Sequence, residues 1–311
     1  IGNSHDGIIV LPADAVPGTP AKEYYNIKSD YLIGVDITPN RADACSHYGV
    51  ARDLYAYTMQ NKGASELRRP SCDGFKVDDN SLNIDIEVQN SEACMRYAGV
   101  TVKGVTVKES PEWLKNKLQI IGIRPINNIV DITNYVMLEY GQPMHAFDYT
   151  TLEGDAINVR RAKDGEKIVT LDETELTLTT ENMLICDGVK PVALAGVMGG
   201  LNSEIRETTN TVLFESAKFA RDNIRRTSRA VGKSSDSSAR YAKGVDEYAT
   251  VMAMKRALHL MEELGCGRHE TGNDMLVTIH SDYFFCHILI SFHIFTVSRN
   301  LNSQIVTFNY R

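Results

Sequence analysis

The chain has 311 residues, 43% hydrophobic and 23% charged, with a formal net charge of −7. That length suggests about two domains and allows a sizeable core. The acidic balance excludes a chain that seeks nucleic acid or anionic membrane by bulk charge, though a local basic face stays open.

Cysteines at 45, 72, 94, 186, 266 and 286 form no CxxC pair. They support neither a zinc knuckle nor a thioredoxin-like motif and fit reduced cytosolic thiols. No signal peptide or membrane-spanning run opens the chain. The densest apolar stretch, FFCHILISFHIF at 284–295, is too short to span a bilayer. Opening on IGNSHDG without Met, the sequence reads as a piece of something longer.

In chain order, GIIVLP (7–12) and YLIGVDITPN (31–40) read as short strands. SHYGVARDLYAYTM (46–59) has apolar residues at helical spacing. A linker is expected over 66–80. LNIDIEV (82–88) and RYAGVTVKGVTV (96–107) alternate with period two, as half-buried strands do. Ser110-Pro111-Glu112 predicts an N-cap and the opening of a helix over 111–121 that ends at Gly122. Ile126 to Tyr140 repeats at three and four, with Gly141 as the stop. Thr133 and Asn134 then lie in mid-helix, and His145 on the loop that follows. From 156 to 216 the pattern turns to strands: INVRRA, EKIVTL, ELTLT, MLICD, VALAGVM and TVLFES. GVDEYATVMAMKRALHLMEELG (244–265) predicts a long closing helix. This mixed order fits an α+β class better than a doubly wound sheet.

Four groups of residues could carry chemistry. Thr133, Asn134 and His145 bring an imidazole that can donate, accept or hold a water; the structural alternative is a capped turn with a bonded histidine. In ALAGVMGGLNSEI (193–205), Gly196, Gly199 and Gly200 follow an apolar strand, but the spacing is not a dinucleotide fingerprint. The use of such glycines is steric, leaving room for a ring or backbone close by, or else they mark a bulge and turn. Glu215 ends the apolar strand TVLF and could accept a hydrogen bond from a ligand hydroxyl, unless it is a solvated strand end. Lys218, Arg221, Arg225, Arg226, Arg229 and Lys233 put several cations four apart, a face suited to phosphates or simply to solvent. No metal site is expected, since there is no HExxH, and neither a G-x-S-x-G elbow nor a Walker loop occurs.

HDGIIVLP, VDITPNRADACSHYGVARDL, INNIVDITNYVMLEYGQPMHAFD, LAGVMGG, LFESAKF and SSARYAKGVD come in order over about residues 4–265. Together they resemble the beta subunits of bacterial phenylalanyl-tRNA synthetases. The resemblance implies that 1–65 is the remainder of the family's first domain and that 81–270 is its α+β tRNA-editing unit, the third and fourth domains. Residues 271–311, beyond the resemblance, are either a truncated next domain or a non-native tail. The implied function is hydrolysis of tyrosine wrongly esterified to phenylalanine tRNA, without aminoacylation. Thr133, Asn134 and His145 are the implied catalytic residues. Gly199 lines the ring pocket, Glu215 reads the tyrosine hydroxyl, and Ser235 and Ser237 stand where the family often has Thr and Ala. Arg221, Arg225, Arg226 and Arg229 are candidate RNA contacts. The implied partners are phenylalanine tRNA and an alpha subunit in an α2β2 tetramer, in the cytoplasm, with no membrane and no DNA. No cofactor is expected on this chain; ATP and Mg2+ serve the whole enzyme. The alternative is a non-catalytic scaffold and RNA-binding module.

Overall fold

The computed structural model describes residues 7–25, 31–63, 65–72, 82, 84–246, 248–266 and 276–280. Its elements, in chain order, are α1 (Ala21–Tyr24), α2 (His47–Lys62), β1 (Asp85–Val88), β2 (Cys94–Lys103), α3 (Glu112–Ile120), α4 (Asn128–Tyr140), β3 (Met144–Asp148), β4 (Ala156–Arg161), β5 (Lys167–Val169), β6 (Glu175–Thr177), β7 (Met183–Cys186), β8 (Pro191–Leu194), β9 (Met198–Gly199), β10 (Thr211–Phe219), α5 (Arg221–Ala230), α6 (Asp236–Lys243), α7 (Ala249–Glu263) and β11 (Leu276–His280). The class is α+β, as the mixed pattern predicts.

Two sheets and a helical layer stack on one another. The first sheet runs β1-β4-β7-β8-β9, with β1 and β4 parallel and the rest antiparallel. The second, β11-β2-β10-β3, is antiparallel throughout. One core fills the space between the sheets, with Ile157, Leu184 and Val192 facing Tyr97, Phe147, Leu213 and Ala217. A second core lies on the other side, where Val100, Val102, Val212 and Phe214 meet Leu118, Ile132 and Val136 of the helices and Ala257 of α7. β10 therefore serves both cores. Its odd residues enter one and its even residues the other, which is why TVLFESAKF is nearly continuous in burial rather than alternating.

α4 is specified locally at both ends. The Asn127 side chain accepts from the backbone N–H groups of Ile129 and Val130, and Gly141 closes the helix at φ +81°. Several sequence expectations need correction. Residues 7–12 and 31–40 form no strands, and Ile8, Val10, Tyr31 and Ile33 are exposed; their apolar character does not suffice, because a strand needs a neighbouring strand for its backbone groups and none among the described residues pairs with them. Ser110 does not cap α3. Pro111 precedes the helix, and the Ser110 hydroxyl donates to buried Asp131 Oδ2 at 2.6 Å. VALAGVM is not one strand but the β8–β9 hairpin, turned at Gly196 with φ +67°. A Cβ there would stand 2.8 Å from Ile224 Cδ1 and 2.9 Å from Phe219 Cδ2. Residues 276–280, which the sequence groups with the tail, pair along β2 at the edge of the second sheet; 281–311 lie outside the described residues.

Part of the expected linker docks on the helices. The Tyr140 hydroxyl donates to Pro70 O at 3.0 Å, and Arg256 Nη1 donates to Ser71 O at 3.0 Å. Arg256 of α7 also grips Glu139 of α4 through two bonds of 2.7 and 3.2 Å, both side chains being 12% exposed. Breaking one partner of such a buried pair strands the other charge. Arg256→Met is thus expected to lower the unfolding free energy by about 3 kcal/mol. Urea denaturation measures this, and Glu139→Gln in the same chain should recover most of the loss.

Candidate active site

The antiparallel pairing of β3 with β10 sets His145 directly opposite Glu215. Both stand on the face that looks toward the first sheet, beside Phe147 and Ala217 of the inter-sheet core. This corrects two expectations. His145 lies on a strand, not on a returning loop, and Glu215 lies in mid-strand and is 5% exposed, not at a solvated end. The misjudgement has one cause: β10 runs on to Phe219, because Ser216 and Ala217 are small enough to be buried between two cores.

From the opposite sheet, Gly199 of β9 closes against the imidazole. A Cβ at this position would be 2.4 Å from His145 Cε1 and 2.6 Å from Nε2. The glycine is needed for close approach, as the sequence suggested for this run. Thr133 and Asn134 come from α4, which packs against β3; Thr133 is buried and bonds back to Val130 O at 2.7 Å, while Asn134 is half-buried. Ser235 and Ser237 sit at the start of α6. All seven residues, Thr133, Asn134, His145, Gly199, Glu215, Ser235 and Ser237, line one cavity of about 420 Å3, within the range of pockets that enclose small ligands.

Apolar groups make most of its wall, among them Met137, Met144, Leu171, Ala193, Val197 and Met198. In that setting the polar groups are shifted toward neutrality. Burial raises the Glu215 carboxyl to about 8 and lowers His145 to about 4. Near pH 7 both are therefore uncharged: a carboxylic acid that can donate or accept, and an imidazole with one donor and one acceptor nitrogen. Glu215 Oε2 has no hydrogen-bond partner among the described residues. A buried polar atom left so is costly, and a ligand hydroxyl reaching it would relieve the cost.

Ser235 is placed differently from a free ligand contact. Its hydroxyl accepts from Ser238 N at 3.1 Å and donates to Val197 O at 2.7 Å, within a capping box completed by Ser238. It ties the start of α6 to the turn that carries Gly199. Ser237, two residues on, is half-buried on the cavity wall.

The arginines lie apart from the cavity lining. Arg221, Arg225, Arg226 and Arg229 are all exposed on α5, whose Asn223, Ile224 and Thr227 face inward; Arg225 pairs loosely with Asp222 at 3.6 Å. Lys233 does not belong to that face. It follows the helix, pairs with Asp172 and donates to Thr174 Oγ1 at 2.8 Å, pinning the β5–β6 hairpin. Sequence reasoning also missed Leu171, Met198 and Tyr241 in the cavity wall. Only the apolar strand runs MLICD and VALAGVM hinted that a second sheet would face β10. Among the described residues, no cluster of three or more His, Cys, Asp or Glu is arranged to hold a metal ion, and no helix is long and apolar enough to cross a membrane.

Residues 93–266 match the B3/4 domain family. The phenylalanine–tRNA ligase beta subunit of Bacteroides thetaiotaomicron is 53% identical over 284 residues, covering 91% of this chain and 35% of that protein. The corresponding subunit of Bacteroides fragilis is 55% identical over 267 residues, covering 86% and 33%. That of Carboxydothermus hydrogenoformans is 44% identical over 261 residues, covering 84% and 32%. The chain thus spans about a third of the length of the curated relatives it matches. With its cavity residues falling inside the matched segment, this chain belongs to the B3/4 domain family and shares that domain with phenylalanine–tRNA ligase beta subunits.

Proposed function

We propose that the cavity is a hydrolytic editing site, which releases tyrosine wrongly esterified to phenylalanine tRNA. The observation that carries this is Glu215 Oε2, a buried polar atom without a hydrogen bond of normal geometry, in a mostly apolar cavity large enough for an aromatic ring. Phenylalanine and tyrosine differ by one hydroxyl. A pocket built to bond that hydroxyl discriminates strongly against the ligand lacking it, because the lacking ligand leaves the buried partner unsatisfied.

The chemistry asked of the rest is modest. An aminoacyl ester is already activated, so its hydrolysis consumes no ATP. Water adds to the ester carbonyl, the ribose oxygen leaves and takes a proton, and free tyrosine departs. With a pKa of about 4, His145 is a weak base near neutrality; its suited role is to accept from the attacking water, or to donate to the ester, and so fix its line of approach. Asn134 offers an amide donor and acceptor at the same wall. Gly199 leaves the imidazole its place. In this reading the chain works with an alpha subunit, where ATP and Mg2+ serve aminoacylation, and the exposed arginines of α5 carry tRNA phosphates.

Three outcomes are expected. In the whole enzyme, Glu215→Ala should lower kcat/KM for tyrosyl-tRNA hydrolysis by about a hundredfold and leave slow phenylalanyl-tRNA hydrolysis unchanged; ester loss from the two charged tRNAs measures both. An unaltered tyrosyl rate would make the cavity an inert part of an RNA-binding scaffold.

The second outcome concerns pH. Glu215 is raised from 4.5 to about 8 by folding, so the folded state holds the extra proton and its stability falls as pH rises through that window. His145 is lowered from 6.5 to about 4, so its contribution runs the other way, lost as pH falls from 6.5 toward 4. The two slopes oppose each other between 4.5 and 6.5. Above 6.5 the carboxyl acts alone, at up to about 1.4 kcal/mol per pH unit. Glu215→Gln should remove the fall between pH 6.5 and 8 in denaturant midpoints measured across that range.

Third, Arg225→Ala with Arg229→Ala should weaken tRNA binding without altering selectivity, and should reduce the salt slope of log K by about 2. Binding titrations at several salt concentrations report it.

A further inference from the structure

A phenol from the protein itself meets Glu215 from behind the cavity. In the β2–β10 ladder, Gly99 stands opposite Glu215 and Tyr97 opposite Ala217. Residues two apart on a strand share a face, so Tyr97 lies diagonal to Glu215 on the inter-sheet side and packs into that core. At 5% exposure it is as buried as Glu215, and it is not among the cavity-lining residues. Gly99 itself is packed into the core; a Cβ there would stand 3.3 Å from Ile86 Cδ1 and Leu213 Cδ1.

The groups that face Glu215 from its neighbours are His145 on β3, Cys94 and Tyr97 on β2, and Tyr241 on α6. Most are committed elsewhere. The Tyr241 hydroxyl donates to Ala217 O at 3.0 Å, and the Cys94 thiol donates to Arg96 O at 3.4 Å. His145 is held against Gly199. The Tyr97 hydroxyl has no hydrogen bond of normal geometry, and neither has Glu215 Oε2. The two nevertheless interact, and the phenol holds the carboxyl below the pKa that burial alone would give it. Both therefore carry a buried polar atom without a normal hydrogen bond on the same face of the β2–β10 ladder.

We propose that Tyr97 is a positioning residue for hydroxyl recognition: from within the core, its phenol orients the Glu215 carboxyl so that an oxygen stays directed into the cavity. This rests on Glu215 being the group that reads the substrate hydroxyl, and deepens it. The terminal carboxyl torsion of a glutamate is broad and roughly two-fold, and apolar walls give it no preferred direction. A hydroxyl behind it does. The substrate class that profits is an amino-acid ester with a para-hydroxyl; an ester without one is indifferent to how the carboxyl is turned.

The test uses the whole enzyme with tyrosyl- and phenylalanyl-tRNA, and 13C NMR titration of the Glu215 carboxyl in this chain. Tyr97→Phe removes one oxygen and keeps the ring. It should lower the tyrosyl-to-phenylalanyl ratio of kcat/KM about tenfold, through the tyrosyl ester alone, and should move the Glu215 titration upward. In a Glu215→Gln background it should change the ratio no further. Should Tyr97→Phe fail to fold, Tyr97→Met gives the same readouts with the same expected loss. An unchanged ratio in a folded variant overturns the proposal, and so does a fall in ratio with an unmoved titration, the mark of a merely structural role. Glu215→Ala, run alongside, separates the two levels. If it collapses the ratio while Tyr97→Phe does not, the role of Tyr97 falls alone; if it leaves the ratio intact, the editing reading falls and this inference with it.

Discussion

A carboxyl group between two packed sheets is the constraint on which the site depends. Glu215 sits on a strand both of whose faces are buried, and it meets open space only at the mostly apolar cavity. Taking the ionised form out of water is expensive, and the group answers by keeping its proton. A neutral acid in an apolar wall is a different instrument from a carboxylate. It can donate as well as accept, and it neither attracts counter-ions nor repels the electron-rich oxygens of an ester.

The surrounding architecture preserves that environment. β3 seals the edge of the second sheet and brings His145 into register with Glu215. The hairpin at Gly196 folds β9 back, so that Gly199 meets the imidazole from the other sheet. Ser235 fastens the same hairpin to α6 by bonding Val197 O. A change at any of these joints would alter the space in front of Glu215 without touching it.

Much of this was legible in the sequence, and the failures are specific. α4 announces itself through Asn127, its apolar repeat and Gly141, and the α+β class follows from the mixed order of elements. The candidate residues come together in one cavity, yet spacing alone could not bring them there. Thr133 and Gly199 are far apart in the chain and belong to different layers. What joins them is strand register, and a local pattern does not encode which strands will pair. The same limit hid the burial of Glu215. TVLF followed by ES looks like an apolar strand reaching solvent, and only the second sheet makes ESAKF part of the interior. Tyr97 was hidden for a related reason: RYAGVTVKGVTV shows a strand, but which face looks at a carboxylate depends on the partner. At 7–12 and 31–40 the error ran the other way, since strand-like apolar residues were present and no described strand receives them.

On the proposed editing reading, selectivity for one hydroxyl also explains why the site is built this way and not around a stronger catalyst. An apolar cavity of this size gains from either aromatic ring, so ring burial supplies affinity but no choice. The choice comes from the difference between a satisfied and an unsatisfied Glu215, and that difference grows as the carboxyl is more deeply buried. A charged, solvated glutamate would bond a phenol at little net gain, because water would serve it equally well. A strongly basic histidine nearby would place a charge beside the buried acid and draw water in. The lowered basicity of His145 and the raised pKa of Glu215 are thus two results of the same exclusion of solvent. In that reading, rate is given up at the imidazole so that discrimination can be kept at the carboxyl, a trade that suits an ester that arrives already activated.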